Sequence, residues 1–217
     1  MSLVNILVTE DRALIGVDTD AGPAWSGNSR FNGQRARSKL LHLPHSNLVI
    51  AGRGFLDFLN GVFGYMVVMG YDFDSAAAAM LHMLGSVRLD IESLWAPDPL
   101  LQAKLTEIDT QFEGYLAGWS ESANRMSVVH FEIALGEAEP SVETPRSKYF
   151  WVSPSAPFNG VEGQQLEVPT GYAAMLKIAR AQTQWGRANR PDAAIGGRLV
   201  FATLSRHALT IESGEAL

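Results

Sequence analysis

The sequence predicts an α+β domain in which two antiparallel sheets pack face to face with helices outside them. Three observations carry that expectation. Short apolar runs of strand length come in pairs joined by polar turns. Helical spacing is confined to the blocks 55–93 and 170–185. Strand pairs return after each block, an order that suits sheets sandwiched between helices.

Residues 3–8 (LVNILV) form a β-branched apolar run, Glu10-Asp11-Arg12 a polar turn, and 13–18 (ALIGVD) a second run, which together read as a hairpin. A Gly- and Ser-rich connection over 21–34 leads to a second hairpin, strands 39–43 and 47–51 around Pro44-His45-Ser46. From Phe55 the apolar spacing becomes helical through Met69. Asp74-Ser75 then supplies a cap signal for a helix that runs through the alanine-rich 76–84 to Ser93, and the Asp72, Asp74 pair is assigned to that cap. The stretch 95–99 (WAPDP) punctuates, and 100–110 reads as helix or loop. Strands follow at 113–119 and 126–133 around a polar turn at 120–125, with another at 148–152. Residues 154–168 read as irregular. A helix is expected over 170–185 with Thr170 as its cap, and a final hairpin over 198–204 and 207–212. No linker, repeat or low-complexity tract divides residues 1–217, so a single domain is expected.

Composition narrows the function. With 47% hydrophobic residues the chain of 217 has ample material for a core. A formal charge of −6 without any Lys/Arg cluster argues against a nucleic-acid partner, whose phosphates would demand basic contacts. There are no cysteines, which excludes disulfides, thiolate catalysis and zinc–sulfur sites. No segment reaches the roughly 18 apolar residues of a membrane span, and the reading is a soluble, cytoplasmic protein with no membrane partner. The five histidines, His42, His45, His82, His130 and His207, lack His-x-x-x-His spacing, so no metal site is expected. Gly52-Arg53-Gly54 lacks the third glycine and the strand–turn–helix context of a phosphate loop, and no cofactor is expected. Trp119, Trp151 and Trp185 are assigned to core or interface.

The chemistry-bearing residues lie at the ends of the predicted strands. Removal of Met1, which precedes a small residue, leaves Ser2 carrying a hydroxyl and an α-amine together. A serine hydroxyl is a weak nucleophile until a base takes its proton, and an α-amine of pKa near 8 is such a base. A buried lysine next to such a hydroxyl lowers the cost of an alkoxide, and an aspartate paired with that lysine keeps it charged and oriented; Lys39 and Asp18 are the candidates for these roles. A tetrahedral intermediate also needs a donor aimed at its oxygen, and Gly52 permits a close backbone approach.

Read in this order, the chain resembles the proteasome β-subunits and their bacterial relatives, in the N-terminal nucleophile hydrolase superfamily. In that family an N-terminal threonine opens the first strand and an aspartate follows sixteen residues later, the separation of Ser2 and Asp18. The family's lysine opens the third strand, as Lys39 does, and the next strand ends in Ala-Gly, as Ala51-Gly52 does. Tyr115-Leu-Ala-Gly-Trp119 looks like its central strand pair, and Arg190-Pro-Asp192-Ala-Ala-Ile195-Gly-Gly197 looks like its Arg-Asp-x-x-Ser-Gly-Gly segment. The resemblance implies a four-layer αββα sandwich and a peptidase or amidase acting on a peptide or small amide. In that reading Ser2 is the nucleophile, Lys39 the proton handler, Gly52 the oxyanion donor, and Asp18 and Asp192 supports. It also implies a homo-oligomer stacked through helices 55–69 and 74–93. The departures are Ser2 for threonine, Asp20 for arginine, Arg53 for a small residue, and Ile195 for a serine that supports the amine. The family's Gly-Ser-Gly has no clear counterpart in Val152-Ser153-Pro154-Ser155, and neither of these serines is assigned a catalytic role. Ile195 and the missing Gly-Ser-Gly motif favour an alternative, a catalytically silent subunit that serves assembly.

Overall fold

A computed structural model describes residues 2–21, 35–36, 38–97, 99, 110–136, 139–158, 168–189 and 195–217. Of the expected connection over 21–34, residues 22–34 lie outside the described residues, as do 100–109, 159–167 and 190–194.

Strands β1 (Val4–Val8) and β2 (Arg12–Asp18) form the first hairpin, with Val4 opposite Val17 and Val8 opposite Ala13. Two short strands, β3 (Asp20–Ala21) and β4 (Arg35–Ala36), pair with each other. The second hairpin is β5 (Leu40–Leu43) with β6 (Leu48–Gly54). Helices α1 (Leu56–Met69) and α2 (Phe73–Trp95) follow, and then β7 (Phe112–Ser120), β8 (Arg125–Ile133), β9 (Ser141–Val142) and β10 (Tyr149–Ser153). After a single 3-10 turn (Ala156–Phe158), helix α3 (Tyr172–Asn189) leads into β11 (Arg198–Ser205) and β12 (Leu209–Ala216). The strands assemble into two five-stranded antiparallel sheets, ordered β10-β1-β2-β11-β12 and β5-β6-β7-β8-β9.

Period-two patterning explains why these sheets bury both faces. Val4, Ile6 and Val8 of β1, Ala13, Ile15 and Val17 of β2, Val49 and Ala51 of β6, Tyr115 and Ala117 of β7 and Val128 of β8 share one core between the sheets. The alternate residues point away. Leu48, Ile50, Phe112, Leu116, Val129 and Phe131 pack against Phe58, Val62, Met80 and Leu84 of α1 and α2. On the other sheet, Leu7, Leu14, Leu199 and Phe201 pack against Met175, Leu176 and Ala179 of α3. Each large apolar side chain buried this way contributes about 1.5–3 kcal/mol. The close approach of α1 to α2 depends on Gly61, where a Cβ would stand 2.4 Å from Val87 Cγ1.

Several boundaries differ from expectation. The cap of α2 is Asp72 alone, whose carboxylate accepts from Ser75 N at 2.8 Å. Asp74 instead accepts from Ser120 Oγ (2.7 Å) and Ser122 N (2.9 Å), tying the first turn of α2 to the β7–β8 turn. Helix α3 runs to Asn189, beyond the expected 185, and β12 continues to Ala216, beyond 212. The short strands β3, β4 and β9 were not expected. Among the described residues no helix is long and apolar enough to cross a membrane.

Candidate active site

The hairpin register carries Asp18 to the end of β2, one step beyond the Val4–Val17 pair and beside Leu3. Its carboxylate is fully buried and anchors three separate pieces of chain. Oδ1 accepts from Leu3 N (2.8 Å) and from Lys39 Nζ (2.7 Å), and Oδ2 accepts from Gly196 N (3.1 Å). Lys39, entering β5, is equally buried, so the ion pair has no exposed side-chain surface on either partner. Burial pushes the Asp18 carboxyl up from its ordinary pKa, against the pull of the Lys39 ammonium and the two backbone N–H donors. A lysine in the interior is tolerated here because its charge is met at hydrogen-bonding distance.

Ser2 is half-buried and precedes Leu3, the residue whose N–H Asp18 holds. The structure therefore places Ser2, Asp18 and Lys39 at one end of the inter-sheet core. Gly52 lies beside them, but its N–H donates to the Lys39 carbonyl at 3.0 Å, so that N–H is not free as the oxyanion donor expected from sequence. A Cβ at Gly52 would meet the Phe112 ring at 2.3 Å and Glu113 O at 2.7 Å, so the glycine is required by packing of β6 on β7. Asp192 lies outside the described residues. Ile195 is 4% exposed and packs with Met175, Ala179 and Leu199 under α3, where Gly186 leaves it room. It brings no hydroxyl to the site.

Sequence reasoning missed a second polar cluster between the sheets, centred on Glu113. Its side chain accepts from Arg53 Nε (2.5 Å), Ser153 Oγ (2.9 Å), Trp151 Nε1 (3.1 Å) and Tyr115 Oη. Burial alone would raise the Glu113 carboxyl, but the Arg53 guanidinium and the hydrogen bonds from Tyr115 and Ser153 hold it below the ordinary range. Burial and the Glu113 charge drive the Tyr115 phenol far up, and burial beside Glu143 pushes Tyr149 up to about 12. His130 stacks on Tyr115 with ring centroids 4.8 Å apart and has Glu113, Glu132 and Glu143 within 3.7 Å. The available signal was Glu113 itself, an acid in phase with the inward-facing Tyr115 and Ala117.

Trp151 is 44% exposed and Trp119 is half-buried against the inter-sheet core with Arg206 over its ring at 4.7 Å. Among the described residues no group of three or more His, Asp or Glu side chains is arranged to hold a metal ion. Compared with known protein families the chain matches none, and no curated protein matches it.

Proposed function

We propose that the chain is an N-terminal-nucleophile amidohydrolase or peptidase with the four-layer αββα arrangement of that superfamily. The observation that carries the reading is the fully buried Lys39–Asp18 pair at 2.7 Å, with Asp18 also holding the N–H of the residue after Ser2. The three-core packing, helices on the outer face of each sheet, supports the same architecture. With Met1 removed, the Ser2 hydroxyl attacks an amide carbonyl and passes its proton to its own neutral α-amine while the Lys39 ammonium stabilises the forming alkoxide, and the α-ammonium so formed protonates the leaving nitrogen as the C–N bond breaks. Asp18 keeps Lys39 in place and, through Leu3, fixes the start of β1. Water then releases the acyl group from Ser2. Substrate is a peptide or small amide, and assembly is a homo-oligomer through α1 and α2. The test is intact mass before and after a β-lactone or peptide epoxyketone. Loss of Met1 with one adduct on Ser2, absent in Ser2→Ala, is the expected result. Amide hydrolysis that survives Ser2→Ala refutes the mechanism.

A second reading, a catalytically silent subunit of the same architecture, is favoured by Gly52, whose N–H is already spent on Lys39, and by Ile195, which is committed to the core. It expects a stable oligomer and a Ser2 that never reacts.

A further inference from the structure

Arg53 is held in an unusual way. It sits in β6 opposite Glu113 and in phase with Val49 and Ala51, which face the inter-sheet core. Only its Nε is engaged, by Glu113 Oε2; among the described residues the two terminal nitrogens, Nη1 and Nη2, make no hydrogen bond. Glu113 is saturated by Tyr115, Ser153 and Trp151, so the guanidinium is pinned along one edge while, among the described residues, its fork stays open. The side chain is 30% exposed, and Trp151, bound to the same carboxylate, offers an exposed aromatic wall beside it.

We propose that Arg53 is a specificity-determining residue that receives a carboxylate of the peptide ligand. This rests on the hydrolase reading for the ligand's class. A guanidinium fork matches a carboxylate with two parallel hydrogen bonds, and Glu113 pre-orders the fork so that little rotamer freedom is lost on binding. The position is suited to a peptide. Ser153, which shares Glu113 with Arg53, pairs with Val4, two residues after Ser2. Strand rise and spacing then set the Ser2 and Ser153 α-carbons about 8 Å apart. Ser153 Oγ and Arg53 Nε both bond Glu113 Oε2, at 2.9 and 2.5 Å, so the guanidinium lies within about 8 Å of the Ser153 α-carbon, and an extended peptide at ~3.3 Å per residue reaches from Ser2 to Arg53 in no more than about five residues. The carboxylate comes either from an acidic side chain or from the peptide's own C-terminus.

Calorimetric binding to the full-length Ser2→Ala chain separates these. The probes are Ac-Ala-Ala-Glu-Ala-NH2 against its Gln analogue, and Ac-Ala-Ala-Ala against its C-terminal amide. At least one carboxylate peptide is expected to bind about tenfold or more tighter than its neutral partner, and the pair that shows the ratio identifies the source. Arg53→Met alone strands Glu113, so the paired Arg53→Met, Glu113→Gln variant, folded by circular dichroism, is the decisive one and abolishes the ratio. Equal affinities, no binding by any probe, or a ratio that persists in the paired variant overturns the proposal. Failure of the hydrolase reading is seen separately: a carboxylate preference with no adduct on wild-type Ser2 removes the mechanism and leaves Arg53 as a ligand-binding residue.

Discussion

Replacing Lys39 by Met removes a charge from a site with no solvent on either side of the ion pair. The aliphatic stem is retained, so packing changes little. What remains, among the described residues, is an Asp18 carboxyl with two backbone N–H donors and without its lysine partner. Breaking one half of a buried pair costs about 3–5 kcal/mol. For a chain of this length each kcal/mol moves Tm by about 2–4 °C, so the drop at pH 7 is about 6–20 °C. The pH dependence has a definite sign. Burial already raises the Asp18 carboxyl, and loss of Lys39 raises it further. A folded-state pKa above the unfolded value of about 3.9 means the folded chain binds the proton more tightly. The Asp18 contribution is then fully present below that value and is lost as pH rises through the folded pKa. Lys39→Met is therefore expected to lie closest to wild type near pH 4 and to fall away toward pH 7. Adding Asp18→Asn removes the stranded carboxylate, and the pair should couple by about 1–3 kcal/mol. Thermal and urea denaturation followed by circular dichroism from pH 4 to 7 reads all of this. A Tm drop below about 2 °C at pH 7, a deficit that does not change with pH, or strict additivity refutes the reasoning.

Other perturbations test the surrounding structure. Gly54 has φ of +98° and a Cβ there would stand 2.0 Å from Gln111 O, so Gly54→Ala is expected to destabilise in urea denaturation by more than the ~1 kcal/mol that a strain-free glycine-to-alanine change can gain. Glu113 has the opposite linkage to Asp18. Its depressed pKa contributes stability above the unfolded value of about 4.3 that is lost as pH falls through the folded one, so the advantage of wild type over Glu113→Gln should shrink on acidification. An advantage that is flat from pH 7 to 3 counts against that account.

Legibility in the sequence followed the range of the interaction. Asp18 and Lys39 stood out because each closes or opens an apolar run, and the hairpin that carries Asp18 to Leu3 is local. The strand pairs were readable because short apolar runs alternate with polar turns. Asp72 and Asp74 were indistinguishable as caps, because the deciding partner of Asp74 is Ser120, on the far side of α2. The occupied N–H of Gly52 depends on the register between β5 and β6, which a run of apolar residues does not specify. The Glu113 cluster draws on β6, β7, β8 and β10, so no window along the chain contains it. Strand β12 was read short because most of it is exposed and lacks alternation.

The Asp18 hub also brings the two ends of the described chain together. Leu3 N and Gly196 N share one carboxylate, and the neighbouring Gly197 carbonyl accepts from Leu217 N at 2.9 Å. Residues 3 and 217 are thus separated by a gap on the order of 15 Å, which five or six linking residues span. Joining them and opening the chain in the exposed β7–β8 turn, between Glu121 and Asn124, gives a circular permutant with every strand pairing preserved. In that molecule the α-nitrogen of Ser2 becomes an amide while its hydroxyl and all other side chains are untouched. Architecture and amine chemistry become separable by connectivity alone.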